Sequence, residues 1–160
     1  MRAFDKIASI FKNILFSNLF IGAVAVGMTV ENNTITHNDI SASFYLLVFS
    51  STAAVYAGYG IWGGGIGQGS ERSERSAWNK KFRKLLVVEF LLFTVIGIGL
   101  YAGQPFDWRY IVFPCIGTLV YPTVAFTRLT DKLSPPITKS LLLSLVWSYT
   151  TFILPLLVYG

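Results

Sequence analysis

The sequence predicts an all-α integral membrane protein, because of its composition, its long apolar stretches and the placement of its basic residues. Of the 160 residues, 53% are hydrophobic and 13% are charged, and the mean hydropathy is +0.57. Soluble domains carry about 25% charged residues, so an ordinary soluble domain is excluded. The aromatic share of 16% excludes a disordered chain, and the single cysteine, Cys115, excludes a disulfide scaffold.

Five apolar stretches approach the length of about 20 residues that a helix needs to cross a bilayer. We expect five transmembrane helices, at about residues 14–30, 42–66, 85–103, 110–126 and 140–159, which together form one domain, residues 14–160. In the preceding segment, residues 1–13, apolar residues recur at helical spacing from Phe4 to Phe11. This pattern favours a short amphipathic helix on the membrane surface, with a straight continuation of the first span as the alternative.

Basic residues lie almost entirely on one side of these spans. Every Lys and Arg except Arg109 falls in residues 1–13, 67–84 or 127–139. Cytoplasmic segments of membrane proteins are rich in Lys and Arg, so we expect a cytoplasmic N-terminus and an outside C-terminus, in a multi-pass protein of a bacterial inner membrane. Contact with anionic headgroups accounts for the net charge of +5. We therefore expect membrane lipids as partners, and no nucleic acid.

Two polar side chains inside the predicted spans are candidates for a functional role, because such residues are rare in the hydrocarbon region. Glu89 is the acidic residue of the third span, and Asn18 lies near the inner end of the first. Glu89 could bind a proton or a cation. The alternative is a structural role, in which Glu89 pairs with Arg83 or Lys84 or is hydrogen-bonded to a neighbouring helix, while Asn18 donates a hydrogen bond between helices.

The segment between the second and third spans is basic and amphipathic. Its aromatic residues, Trp78 and Phe82, are expected at the boundary between headgroups and hydrocarbon. Guanidinium and ammonium groups bind phosphate strongly, so the basic residues are candidates for contact with anionic lipid or with a diphosphate. These candidates are Arg72, Arg75, Lys80, Lys81 and Arg83.

Small residues within the spans predict close packing of helices, because a helix without bulky side chains lets a neighbouring backbone approach. The expected packing positions are Gly22, Gly58, Gly60, Gly97, Ser144 and Ser148. Catalytic arrangements are not expected from the residues themselves. His37, the single histidine, lies in an outer loop, whereas Cys115 lies within the fourth span, so neither a Cys-His nucleophile nor a His/Cys metal site is predicted.

Three stretches resemble the first half of UbiA-type membrane prenyltransferases: residues 16–23 (FSNLFIGA), 113–122 (FPCIGTLVYP) and 137–148 (ITKSLLLSLVWS). The resemblance implies a helical bundle that binds an isoprenyl diphosphate through Mg²⁺ and alkylates a lipid-soluble acceptor. In that family an Asp-rich motif at the inner end of the second helix holds the metal. Residues 55–65 of this chain contain no carboxylate, and Mg²⁺ needs oxygen ligands, so no catalytic or metal-binding residue is carried over.

These observations favour a noncatalytic membrane subunit, a UbiA-like half bundle that packs into a larger complex with other membrane protein subunits, without a cofactor. One alternative is a prenyltransferase-like enzyme that works as a dimer or with a partner half and uses Mg²⁺. Its support is the resemblance and the basic inner segment. Another alternative is a small transporter or channel, for which Glu89 and a few hydroxyl groups are the available polar residues.

Overall fold

The computed structural model describes residues 13–14, 17–62, 69–104, 107–126 and 135–160, with all side chains except those of residues 69–73, 119–126, 135–140 and 142. The described residues form α1 (Asn18–Thr36), α2 (Ala42–Trp62), α3 (Gly69–Lys81), α4 (Arg83–Ala102), α5 (Arg109–Phe126), α6 (Pro135–Ser148), a π-helical turn (Tyr149–Ile153) and α7 (Leu154–Tyr159). These ranges contain no β-strand, which confirms the predicted all-α class. The expected surface helix of residues 1–13 falls outside them, apart from Asn13.

Two of the helices, α2 and α4, are long and apolar enough to cross a membrane. They differ in their surroundings. Much of α2 is buried within the bundle, whereas α4 is largely exposed. The aliphatic residues Val88, Leu91, Val95 and Ile98 of α4 are between 57% and 69% exposed. The segment Leu143–Tyr159 is also apolar but shorter.

Helix α1 continues to Thr36, beyond the predicted end of the first span at residue 30. The polar residues of this extension are hydrogen-bonded, so the helix does not need to end where the apolar stretch ends. The Asn33 side-chain nitrogen donates to the Tyr45 hydroxyl (2.9 Å), and the Thr34 hydroxyl donates to the Val30 carbonyl of its own helix (2.9 Å). The helix ends at His37, which adopts the left-handed conformation (φ 54°).

Helix α2 is the centre of the bundle and packs mainly against α1 and α4. Ser41 precedes it as an N-cap, with its hydroxyl accepting a hydrogen bond from the Phe44 backbone nitrogen (3.4 Å). Phe44, Ala53 and Ala57 of α2 are fully buried. Ala53 and Ala57, four residues apart, lie on one face of α2, and their small side chains allow a neighbouring helix to approach closely. The described part of α2 ends at Trp62, before the predicted end of the second span at residue 66.

The C-terminal part of the chain is a helix interrupted by the π-helical turn Tyr149–Ile153. Pro155 follows this turn and has no backbone N–H, so it cannot donate to the carbonyl of Thr151, four residues earlier. Instead the side-chain nitrogen of Asn32, in α1, donates to that carbonyl (3.1 Å). Helix α1 therefore supplies the donor that proline removes, and this bond fixes the C-terminal segment against α1.

Candidate functional site

The structure brings together the two polar candidates inside the predicted spans. The side-chain nitrogen of Asn18, at the start of α1, donates a hydrogen bond to Oε2 of Glu89 in α4 (3.0 Å). Asn18 is 2% exposed and Glu89 is 9% exposed, so the bond is shielded from solvent. Among the described side chains, Glu89 forms no salt bridge with Arg83 or Lys84, and both of these basic residues are exposed. In this arrangement Glu89 joins α1 to α4.

The basic candidates in α3 and at the start of α4 have different surroundings. Lys80, Lys81 and Arg83 are exposed, and the ammonium of Lys81 lies 5.3 Å from the centre of the Phe82 ring. Arg75 is partly buried beside Tyr56 of α2. Burial lowers the pKa of the Arg75 guanidinium, and the interaction with Tyr56 opposes this shift.

Arg72 lies in α3, but its side chain is not among those described. Arg75 is thus the one described candidate whose charge lies partly inside the bundle.

Asn79, which sequence reasoning did not single out, lies one helical turn after Arg75 on α3 and is 5% exposed. Its side-chain nitrogen is buried without a hydrogen-bond partner. It lies close to Gly60, where an added Cβ would come within 3.4 Å of that nitrogen. Buried amides are usually hydrogen-bonded, so this group costs free energy of folding. The four-residue spacing of Arg75 and Asn79 in the sequence indicates that both lie on one face of a helix, and Asn79 could have been identified from this spacing.

A cavity of about 200 Å³ lies between α2, α5 and α6. Its lining runs along α2 from Phe44 to Tyr59, a length of about 22 Å at 1.5 Å per residue. None of the described residues that line it is charged. At the end near Tyr59, the tyrosine hydroxyl donates to the Thr118 carbonyl of α5 (2.6 Å) and joins the two helices. Tyr56, the neighbour of Arg75, also lines the cavity.

At the opposite end of the bundle, four side chains form a closed ring of hydrogen bonds. The Tyr159 hydroxyl donates to Gln104 Oε1 (2.8 Å), and Gln104 Nε2 donates to the Ser43 hydroxyl (3.0 Å). The Ser41 hydroxyl lies 2.9 Å from that of Ser43 and 3.0 Å from that of Tyr159.

Each hydroxyl has a single proton, so the direction of these bonds is fixed once Tyr159 donates to Gln104. Ser41 donates to Tyr159, and Ser43 donates to Ser41. Sequence reasoning missed this ring, because its members lie in different turns and helices far apart in the chain.

The glycines predicted to mediate packing lie against other helices. A Cβ at Gly22 would come within 3.0 Å of the Phe49 ring, and one at Gly60 within 3.1 Å of Leu86. Gly58 lies against Phe90, and Gly97 faces Ser50 and Ser51.

Ser144 and Ser148 of α6, which the sequence predicts as packing positions, are both exposed within this chain. The reason is the rotational position of the helix. Val146 and Trp147 face the cavity, while Thr151 is buried, so the two serines fall on another side of the helix. Sequence reasoning did not single out Gly117. A Cβ there would collide with Val146 Cγ2, so Gly117 allows α5 and α6 to pack closely.

Within the described ranges, no group of three or more His, Cys, Asp or Glu side chains is placed to hold a metal ion. Comparison with protein-family models, with curated proteins and with solved structures finds no match. The resemblance to UbiA-type prenyltransferases therefore stays a prediction from the sequence. What the structure defines is a helical bundle with an apolar cavity, a partly buried arginine beside Tyr56 of the cavity wall, and a ring of hydrogen bonds that includes Ser41 and Tyr159.

Proposed function

We propose that the chain is a multi-pass membrane subunit, with five spans and a cytoplasmic N-terminus, that packs into a larger membrane complex and has no catalytic role of its own. The observation that carries this proposal is an unoccupied small-residue face on α1. Ala23 and Gly27, spaced four residues apart, are both exposed, and a Cβ added at Gly27 would meet nothing within 4 Å. Small residues at this spacing are typical of helix interfaces in membranes.

Helix α4 supports the same proposal from a second face. Gly99 also has nothing within 4 Å, and it lies beside the exposed Val95 and Ile98. In contrast, Gly22, Gly60 and the other packing glycines are in contact with neighbouring helices of the chain. The open glycines fit a partner helix that approaches α1 or α4 closely.

The complex is tested by solubilising native membranes in a mild detergent and identifying the chains that migrate with this protein on a native gel. We expect the protein to migrate in stoichiometric amounts with a larger assembly. The Gly27→Leu variant should lose this association, and the Met28→Leu variant should retain it. Met28 is an exposed residue of the same helix, and its replacement by leucine nearly conserves volume. Migration alone or as a small homo-oligomer, in the native protein, would overturn the proposal.

The orientation is tested separately with single cysteines in a Cys115→Ser background. A membrane-impermeant maleimide added to intact cells should label Asp39→Cys, and Lys80→Cys only after the cells are lysed. Both positions are exposed in the structure, so a difference in labelling reports the side of the membrane. Labelling of Lys80→Cys in intact cells would contradict the proposed orientation.

A further inference from the structure

The cavity is apolar in the chemical sense, although hydroxyl groups lie along its wall. The Thr118 hydroxyl donates to the Cys115 carbonyl (2.9 Å), and the Thr150 hydroxyl donates to the Val146 carbonyl (2.9 Å). Each of these two hydroxyls already donates its only proton within its own helix, so a hydrocarbon chain beside them would leave neither donor unpaired. The remaining wall is mainly aliphatic and aromatic, as ligand sites for apolar groups are.

The shape of the cavity fits one extended chain. A volume of about 200 Å³ is spread along the lining from Phe44 to Tyr59, about 22 Å of helix. A compact ring system of the same volume would need a short, wide pocket. A narrow channel of this length instead favours a single flexible chain.

A positive charge lies beside Tyr56, one of the residues that line the cavity. Arg75 lies beside Tyr56 and is partly buried, and none of the salt bridges among the described residues involves it. A guanidinium that is removed from part of its water and forms no salt bridge with a described carboxylate is suited to a bound anion. At the end of the cavity near Phe44 and Leu154, the described lining residues carry no charge.

We propose that the cavity binds the hydrocarbon chain of a single-chain anionic lipid, with its carboxylate or phosphate beside Arg75. A fatty acid and a lysophospholipid share this chemistry, and the experiment below separates them. The proposal goes beyond the proposed subunit role and does not depend on it, because binding is measured on the isolated full chain.

Cys115 provides the readout, because it is the single cysteine of the sequence and lines the cavity. The purified full chain in digitonin, which has no flexible alkyl chain, is treated with N-ethylmaleimide, and the rate of alkylation is measured against added stearate. We expect saturable protection of Cys115. Methyl stearate has the same chain without the charge, so it should require about ten times the concentration or more.

Arg75→Gln should raise the half-protecting concentration of stearate about tenfold, because it removes a charge-assisted hydrogen bond. The matched control is Lys84→Gln, which removes one positive charge from an exposed position and should leave protection unchanged. Circular dichroism confirms that both variants are folded. Ser51→Leu, which narrows the cavity from α2, should weaken protection by every ligand without loss of helicity.

Chain length gives an independent measure. Each methylene that enters the cavity should tighten binding about fourfold, so stearate should protect at far lower concentration than decanoate. If lysophosphatidic acid protects at a lower concentration than stearate, phosphate is the preferred headgroup, and this result supports the proposal.

Three results would overturn the proposal. One is the absence of saturable protection. Another is equal potency of stearate and methyl stearate. The third is a requirement for a diphosphate, seen as protection by farnesyl diphosphate at concentrations where both single-chain lipids fail.

Discussion

Replacing Asn18 by leucine tests whether the bond between α1 and α4 holds the bundle together. Asn18 donates to Glu89 over 3.0 Å, and both side chains are buried. Hydrogen bonds between membrane helices average about 0.6 kcal/mol and reach about 1.7. An acceptor carboxyl that loses its donor while it stays buried raises the cost, so we expect Asn18→Leu to lower the free energy of unfolding by about 1.5 to 2 kcal/mol.

Thr29→Val is the matched control, because Thr29 is fully buried in the same helix but donates only to the Ala25 carbonyl of its own helix (2.9 Å). Its replacement leaves no group on another helix unpartnered, so we expect a loss below about 1 kcal/mol. Glu89→Gln keeps an acceptor oxygen for Asn18 and should also be mild, with assembly nearly intact. The double variant Asn18→Leu/Glu89→Leu removes both polar groups and should recover much of the loss.

The assay is reversible unfolding in mixed detergent micelles, with helicity followed by circular dichroism. The reasoning is refuted if Asn18→Leu costs no more free energy of unfolding than Thr29→Val. It is also refuted if the cost of the double variant equals the sum of the costs of Asn18→Leu and Glu89→Leu measured singly. A Glu89→Gln variant that loses a pH-dependent transport activity, with its stability unchanged, would instead establish a proton-binding role for this side chain.

Three further changes have defined outcomes, each measured as free energy of unfolding. Gly117→Ala should destabilise the protein by about 1 to 3 kcal/mol, because its Cβ collides with Val146, and Val146→Ala should restore much of the loss. Asn32→Leu should cost about 1 kcal/mol or more in the native background and less with Pro155→Ala, which restores a backbone donor. Tyr159→Phe should cost about 1 to 2 kcal/mol, because the ring of hydrogen bonds loses the hydroxyl that joins Gln104 to Ser41.

Gly99→Ala is the control for Gly117, since a Cβ at Gly99 meets nothing within 4 Å. There alanine should stabilise an exposed helix position by up to about 1 kcal/mol. Equal effects at the two glycines would contradict the role given to Gly117. An unchanged cost of Asn32→Leu in the Pro155→Ala background would show that the asparagine does not compensate for the proline. Tyr159→Phe with native stability would show that the ring contributes little.

The apolar helices could be predicted from the sequence because apolar stretches of this length have few alternative structures, whereas the polar helix α3 (Gly69–Lys81) was not predicted. The ends of the apolar helices could not be predicted. Helix α1 passes residue 30 because Asn33 and other polar side chains find partners on neighbouring helices or on α1 itself, and those partners are invisible in the sequence. Glu89 and Asn18 could each be singled out as polar residues in apolar stretches. Their contact depends on how α1 and α4 pack, which composition does not determine.

The serines of α6 show a different limit. The four-residue spacing of Ser144 and Ser148 correctly indicates one face of a helix, but it does not indicate which face packs. Trp147 and Val146 occupy the packed side, and the serines are exposed. Pro155 could be identified as a site of helix distortion. Its compensating donor, Asn32, lies in the first described helix and could be found only from the structure.

The bond between Asn32 and the Thr151 carbonyl also constrains the order of events during synthesis. A ribosome delivers α1 long before the turn Tyr149–Ile153, so the Asn32 amide is synthesised before its acceptor exists. Until then this amide must be solvated by water, headgroups or the insertion machinery. We expect nascent chains arrested before Tyr149 to exchange the amide hydrogens of α1 rapidly, and full-length chains slowly. Helix α1 is thus completed by an acceptor that lies 119 residues after Asn32 in the chain.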